Sequence, residues 1–224
     1  MTKTPARGQN SPGRPAMPLD RILAAALRIV DDEGVEALTM RRLAGALGTG
    51  TATLYRHFDS RIDLVAQVVD RLFGEVGDNL DEMAATHWLE AYRGLAHHMF
   101  GVLGRHRGAA LLLLETTPSG PNAALLRERC LATLLANGFS ARLAALAYAT
   151  FARFVLGFAI QVAADRPSAP ASIAVPGKLD LSRLPATAAV GDALPVPLEA
   201  EFDFALSLML DGLDRRQRES RMID

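Results

Sequence analysis

Two short segments of helical periodicity, Met40 to Leu47 and Thr51 to Phe58, are separated by the tight run Gly48-Thr49-Gly50. Neither is long enough to stand alone, so both need a longer element to pack against. Ile22, Leu23, Ala26, Leu27 and Val30 supply one: they recur at helical spacing up to Gly34 and predict a helix over about 19–33. Thr39 is placed to cap the second helix, whose apolar positions are Met40, Leu43, Ala44 and Leu47, and Gly48 is placed to end it. In the third segment Leu54 and Phe58, at i and i+4, face inward and leave Thr51, Thr53, Tyr55, Arg56 and His57 outside. Ser60 followed by Asp63 reads as a capping box in its carboxylate variant, opening a fourth helix with Leu64, Val65, Val68, Val69 and Leu72 along one side.

A longer helix followed by two short ones around a glycine turn is the helix-turn-helix layout. A DNA major groove about 12 Å wide admits one helix, whose N-terminal residues must be small or polar to approach base edges. Thr49, Thr51 and Thr53 meet that requirement. Tyr55, Arg56, His57 and Arg61 carry the donors that phosphate needs, with Thr39, Arg41 and Arg42 on the helix before them. The charge distribution agrees: the first 61 residues hold nine basic side chains against six acidic ones, whereas the whole chain has net charge −1. That total argues against wholesale coating of nucleic acid and suits a small phosphate-meeting module on a larger body. Pattern alone also fits an αα-hairpin with a solvated polar face.

The residues Leu43-Ala44, Leu47-Gly48, Thr53-Leu54-Tyr55-Arg56-His57-Phe58, Ser60-Arg61 and Leu64 resemble the signature of the tetracycline-repressor (TetR) family of transcriptional regulators, over about 22–68. The resemblance implies a three-helix DNA-binding head, a larger helical body for ligand binding and dimerisation, and repression relieved by a small molecule. The family's DNA-contacting positions fall on Arg41, Thr49, Thr51, Thr53, Tyr55, His57 and Arg61. Arg61 stands where lysine is usual; it keeps the charge and adds a planar fork.

Beyond about residue 78 the periodicity stays helical, through Trp88, Tyr92, Leu95 and Met99, then Ala124 to Leu135, Leu143 to Val162, and Glu199 to Arg218. The fold class is therefore all-α. The expected domains are a disordered basic arm over 1–17, the head over 18–77, and a ligand and dimerisation domain over 78–224. Within the last, a Pro/Ala-rich mobile loop is expected over 165–198. The runs His106-Arg107-Gly108-Ala109, Thr116-Thr117-Pro118, Gly138-Phe139-Ser140, Phe154 to Gly157 and Phe202 to Leu213 are similar to the C-terminal domain of the tetracycline-repressor subclass. By that similarity the helices at about 141–164 and 199–218 pair with their copies as a four-helix bundle.

In tetracycline-binding members a histidine coordinates the drug-bound magnesium, and matching along Thr116-Thr117-Pro118 puts Leu113 there. The subclass's polar ligand contacts fall on Thr117, Cys130 and Arg153, all different in identity. A hard cation wants carboxylate or carbonyl oxygens, which these side chains do not offer. A mostly apolar pocket is expected instead, from Leu95, Met99, Leu113, Phe151, Phe154 and Phe158, with Arg153 and Thr116 or Thr117 orienting a small molecule other than tetracycline–magnesium. Met and aromatic residues at this spacing equally fit a packed core.

His97 and His98 point about 100° apart on a helix and cannot share an ion, and His87 lies about 16 Å along from His98. No metal site, cofactor or catalytic constellation is expected, so the chain is not read as an enzyme. The single cysteine, Cys130, excludes a disulfide framework and reads as a buried thiol. Apolar runs such as Ala109 to Leu114 fall short of a membrane span and no export signal is read at the start, so a cytoplasmic protein is expected. The expected partners are an operator in double-stranded DNA, a small-molecule effector and a second copy of the chain. The competing reading is a helical small-molecule binder or enzyme that uses the head as an interaction module.

Overall fold

The computed structural model describes residues 17–77, 87–164 and 181–221, and among these it forms ten α-helices and three 3₁₀ turns with no strand. The head comprises α1 (Leu19–Glu33), α2 (Met40–Leu47), α3 (Thr51–Leu54) and α4 (Arg61–Gly77). The body comprises α5 (Trp88–Arg105), α6 (Arg107–Glu115), α7 (Pro121–Ala136), α8 (Ala141–Ala164), α9 (Pro185–Ala189) and α10 (Leu198–Arg221).

Local chemistry sets the head's boundaries. Gly34 closes α1 by donating its amide to Val30 O at 3.0 Å, with φ at +90°, a value only glycine adopts readily. Thr39 Oγ1 accepts from the Arg42 amide at 3.1 Å to start α2, and Gly48 ends it in the left-handed region. Regular helix in α3 lasts only Thr51–Leu54 and gives way to a turn, shorter than the expected Thr51 to Phe58, but Leu54 and Phe58 are buried as the spacing requires. Ser60 Oγ caps the Asp63 amide at 3.2 Å; the Asp63 carboxylate reaches back to the amide of Asp59 at 3.1 Å, one residue earlier than a standard box.

Two cores result. One lies in the head, where Ile22, Leu27, Leu43, Leu54, Phe58, Leu64, Val68 and Leu72 meet. The other lies in the body around Trp88, Tyr92, Leu95, Met99, Phe139, Phe151 and Phe202. The Trp88 ring packs edge-on against Phe139 at 4.8 Å, and Tyr92 edge-on against Phe151 at 4.8 Å. α6 belongs to both cores: Ala109 and Leu112 sit in the head core, Ala110 in the body core, and Leu113 touches each.

Two expectations change. Residues 181–197, expected as loop, hold two 3₁₀ turns and α9, because Pro185 opens a helical turn and a short run of alanines continues it. The rest of the loop segment, 165–180, and residues 1–16 of the arm lie outside the described residues, while Met17 packs against the head core. Second, Ala141–Ala163 of α8 is long and apolar enough to cross a membrane, beyond the short runs read from sequence. One side of it, with Phe151, Val155 and Ala159, is buried in the body core.

Candidate DNA-reading head and its link to the body

Burial of Leu54 and Phe58 orients α3. With those two side chains inward, Thr51, Tyr55 and Arg56 are exposed, Tyr55 at 55%, and Thr53 and His57 lie half-buried at the rim. Thr49 Oγ1 donates to Thr53 Oγ1 at 3.0 Å, tying the turn to the helix it precedes. Arg41 is exposed on α2. Seven of the ten residues expected at DNA, Arg41, Thr49, Thr51, Thr53, Tyr55, Arg56 and His57, thus lie on or beside α2 and α3. The other three have their polar groups engaged within the protein. Thr39 caps α2, and Arg42 Nε donates to Glu33 Oε2 at 2.9 Å, an exposed pair that raises the guanidinium pKa and lowers that of the carboxyl through the hydrogen bond. Arg61, expected at a phosphate, turns inward. Its Nε donates to Leu38 O at 2.8 Å, Nη2 to Val35 O at 3.3 Å, where the Leu38 amide also donates at 3.1 Å, and Nη1 to Glu115 Oε2 at 2.8 Å, so the guanidinium reads the carbonyls of the α1–α2 connection.

Sequence reasoning missed the groups that join head to body. Asp70, buried in α4, accepts from the Ala123 amide at 3.0 Å and from Asn122 Nδ2 at 3.1 Å, so it caps the start of α7. A Cβ on Gly120 would lie 2.2 Å from Asp70 Cγ, so the approach requires glycine. His106 Nδ1 lies 2.8 Å from Asp31 Oδ2 and its Nε2 lies 3.3 Å from Glu75 Oε2, placing the ring between α1 and α4. His98 Nε2 meets Glu75 O at 3.1 Å, and His87 caps α5 by accepting from the Leu89 amide. A Pro-Asn step after glycine was the one available signal for the capped start of α7.

The expected ligand residues divide. Leu95, Met99, Cys130 and Phe151 are buried in the body core, with Leu113, Phe154 and Phe158 packed against it. Phe154 stacks on Phe202 at 5.2 Å and Phe158 meets Phe202 edge-on at 5.4 Å, so Phe202 of α10 joins the group although its sequence showed only a stripe. Thr116 is half-buried and Thr117 exposed at the end of α6. Arg153 does not orient anything in this interior: the helical phase puts it with Leu146, Thr150 and Gly157 on the outer side of α8, where Nη1 donates to Ala149 O at 3.2 Å. Burial pushes the Cys130 thiol up to about 12, and burial together with the neighbouring Cys130 raises the Tyr92 hydroxyl, which donates to Cys130 O at 2.9 Å.

Residues 22–68 match the family model for bacterial regulatory proteins of the tetR family, and residues 82–217 match that for the tetracyclin repressor-like C-terminal domain. The chain is 35% identical over 104 residues to the HTH-type transcriptional repressor DrrR1 of Streptomyces coeruleorubidus, a match spanning 46% of this chain and 37% of that one. It is 28% identical over 209 residues to the class A tetracycline repressor from transposon 1721 of Escherichia coli, spanning 91% and 93%. Its structure is similar to apo ActR from Streptomyces coelicolor, with TM-score 0.78, 26% identity and coverage of 93% and 100%. It is also similar to ActR in complex with actinorhodin, with TM-score 0.74, 26% identity and coverage of 90% and 98%.

Proposed function

The chain belongs to the TetR family of bacterial transcriptional regulators, and on that premise we propose that it acts as a cytoplasmic homodimeric repressor of a near-palindromic operator, released by a small, largely apolar molecule. It is a regulator and not an enzyme. The observation that carries the reading is the orientation of α3: Leu54 and Phe58 hold it from within while Thr51, Tyr55 and Arg56 face out. A helix so placed enters a major groove with its N-terminal threonines at base edges and its later donors at phosphates. Thr49, Thr53, His57 and Arg41 complete the contact surface.

Dimerisation is supported by the outer faces of α8 and α10, where Leu146, Phe204 and Leu208 are 57%, 67% and 58% exposed. Two copies of this face form a four-helix bundle and cover it. The two heads then read half-sites about 34–36 Å apart, or a related spacing.

Effector binding is supported by the group of Phe154, Phe158 and Phe202 beside Leu95 and Met99, with Leu113 and Thr116 at the end of α6. ActR, similar over most of the chain, has been crystallised with actinorhodin, which supports a small-molecule effector here; the apolar character is inferred from the phenylalanines and leucines just named. Leu113 cannot ligate the magnesium that accompanies tetracycline. α4 is the lever, since Leu64 and Leu72 belong to the head core while Val76 belongs to the body core. Coupling of about 1–3 kcal/mol between effector and operator weakens DNA binding 5–150-fold.

The test is selection of bound duplexes from a random DNA pool by the purified protein. Enrichment of an inverted repeat supports the reading. No enrichment by folded, dimeric protein overturns it and returns the head to the role of a general interaction module.

A further inference from the structure

Arg61 is the first residue of α4 and follows directly on the turn after α3. It holds the carbonyl of Leu38, the residue before the Thr39 cap of α2, and the carbonyl of Val35. One guanidinium therefore ties the entrance of α2 to the exit from α3. Its remaining contact crosses to Glu115, 54 residues away and the last residue of α6. α6, like α4, contributes to both cores, and its backbone is seated on the head: a Cβ on Gly108 would lie 2.2 Å from Val30 O. Its preceding residue, His106, bridges Asp31 and Glu75. α6 is thus fastened to opposite ends of α4, by His106 to Glu75 and by Glu115 to Arg61.

We propose that the Arg61–Glu115 pair, with the two carbonyls Arg61 holds, is a positioning device that sets the angle of each head on its body and hence the half-site spacing the dimer accepts. The inference rests on the dimeric DNA reading proposed above. Arg61 and Glu115 are each 34% exposed, and an ion pair that wet contributes little to stability, so its value lies in geometry. The planar fork reaches three acceptors on two elements at once, which a lysine's single point charge does not. A stiff joint penalises an operator whose half-sites are one base pair too close or too far, because both α3 helices cannot seat together. A loosened joint tolerates the mismatch.

The test uses the full-length dimer, the inverted repeat it selects, and derivatives with one base pair added or removed between half-sites, at several salt concentrations. Glu115→Gln, Arg61→Gln and the double variant are compared with the native protein. The native protein is expected to lose about tenfold in affinity per base pair of wrong spacing, in the range of a mismatched position. Both single variants should lose only about threefold, and the double variant no less than either, as for two groups of one interaction. The slope of log affinity against log salt should stay unchanged in every variant, since neither residue spends its charge on phosphate. An undiminished spacing penalty in Glu115→Gln overturns the proposal, as does a shallower slope in Arg61→Gln with the penalty intact. Failure of the native protein to select any inverted repeat defeats the DNA-reading premise, and this proposal with it, before a variant is made.

Discussion

The Asp70 carboxylate, midway along α4, accepts a hydrogen bond from the backbone amide of Ala123 at 3.0 Å, so a residue of the head's last helix caps a helix of the body. Asn122 adds its side-chain amide at 3.1 Å, and the positive end of α7 favours the charge. This is the one buried acidic side chain among the described residues, and its partners belong to a different element from its own.

Removing it should therefore cost stability. Asp70→Ala is expected to destabilise the protein by about 2–3 kcal/mol, the range for a lost cap with charged hydrogen bonds. Gly120→Ala should cost about 1–3 kcal/mol because its new methyl meets the same carboxylate. Chemical denaturation measures both, and a change below 0.5 kcal/mol, roughly the level of an ordinary surface substitution, would show that Asp70 does not hold the two helices together.

Tyr55 and His57 stand in the turn that follows α3 and belong to neither core, the His57 ring only flanking Phe58 at 6.1 Å. Tyr55→Ala and His57→Ala should each weaken operator binding by about 5–100-fold, as loss of single contacts at a protein–DNA interface does, with the thermal midpoint unchanged. Retained affinity in both would move the reading surface away from this end of α3.

The outer face of α8 and α10 predicts the oligomeric state. Leu146→Asp combined with Phe204→Asp places charge where two exposed apolar faces would meet, and sedimentation should then find monomer in place of dimer. A dimer that persists in this variant would put the interface elsewhere.

Cys130 should be inert in the folded protein. With its thiol pushed up to about 12 by burial, the thiolate is scarce at pH 8, and the sulfur is out of reach as well. A thiol reagent at that pH should label it only after unfolding. The folded value lies above the unperturbed 9.0, so the stability this group contributes is complete below pH 9.0 and is lost as pH rises toward about 12. Rapid labelling of native protein would contradict the buried placement.

The helices were legible wherever apolar residues recur with helical period and a cap marks the end. Ile22 to Val30 before Gly34, and Met40 to Leu47 between Thr39 and Gly48, show both, and their bounds agree with the structure. α6 was not legible as a helix, because four consecutive leucines, Leu111 to Leu114, carry no phase, and its neighbours on both sides supply the order. At the site, the outward set of α3 followed from the inward pair Leu54 and Phe58. The inward turn of Arg61 did not, since its partner Glu115 lies 54 residues away and the carbonyls it holds belong to a connection without a sequence motif. Arg153 was misplaced for a related reason: a residue type suited to orienting a ligand says nothing about which side of α8 faces the core. Asp70 gave no signal, because a carboxylate in an amphipathic helix reads as solvated until the start of α7 is known to lie against it.

Two copies of this chain are proposed to read an inverted repeat through α3. Fluorescence anisotropy of the selected repeat, beside a scrambled duplex of equal length and across a range of salt, tests this most directly. Two protomers per duplex are expected, with a preference of about 10³-fold or more for the repeat and, if about eight phosphates are neutralised, a slope of log affinity against log salt near −7. Equal affinity for the two duplexes, or one protomer bound per repeat, would contradict that reading.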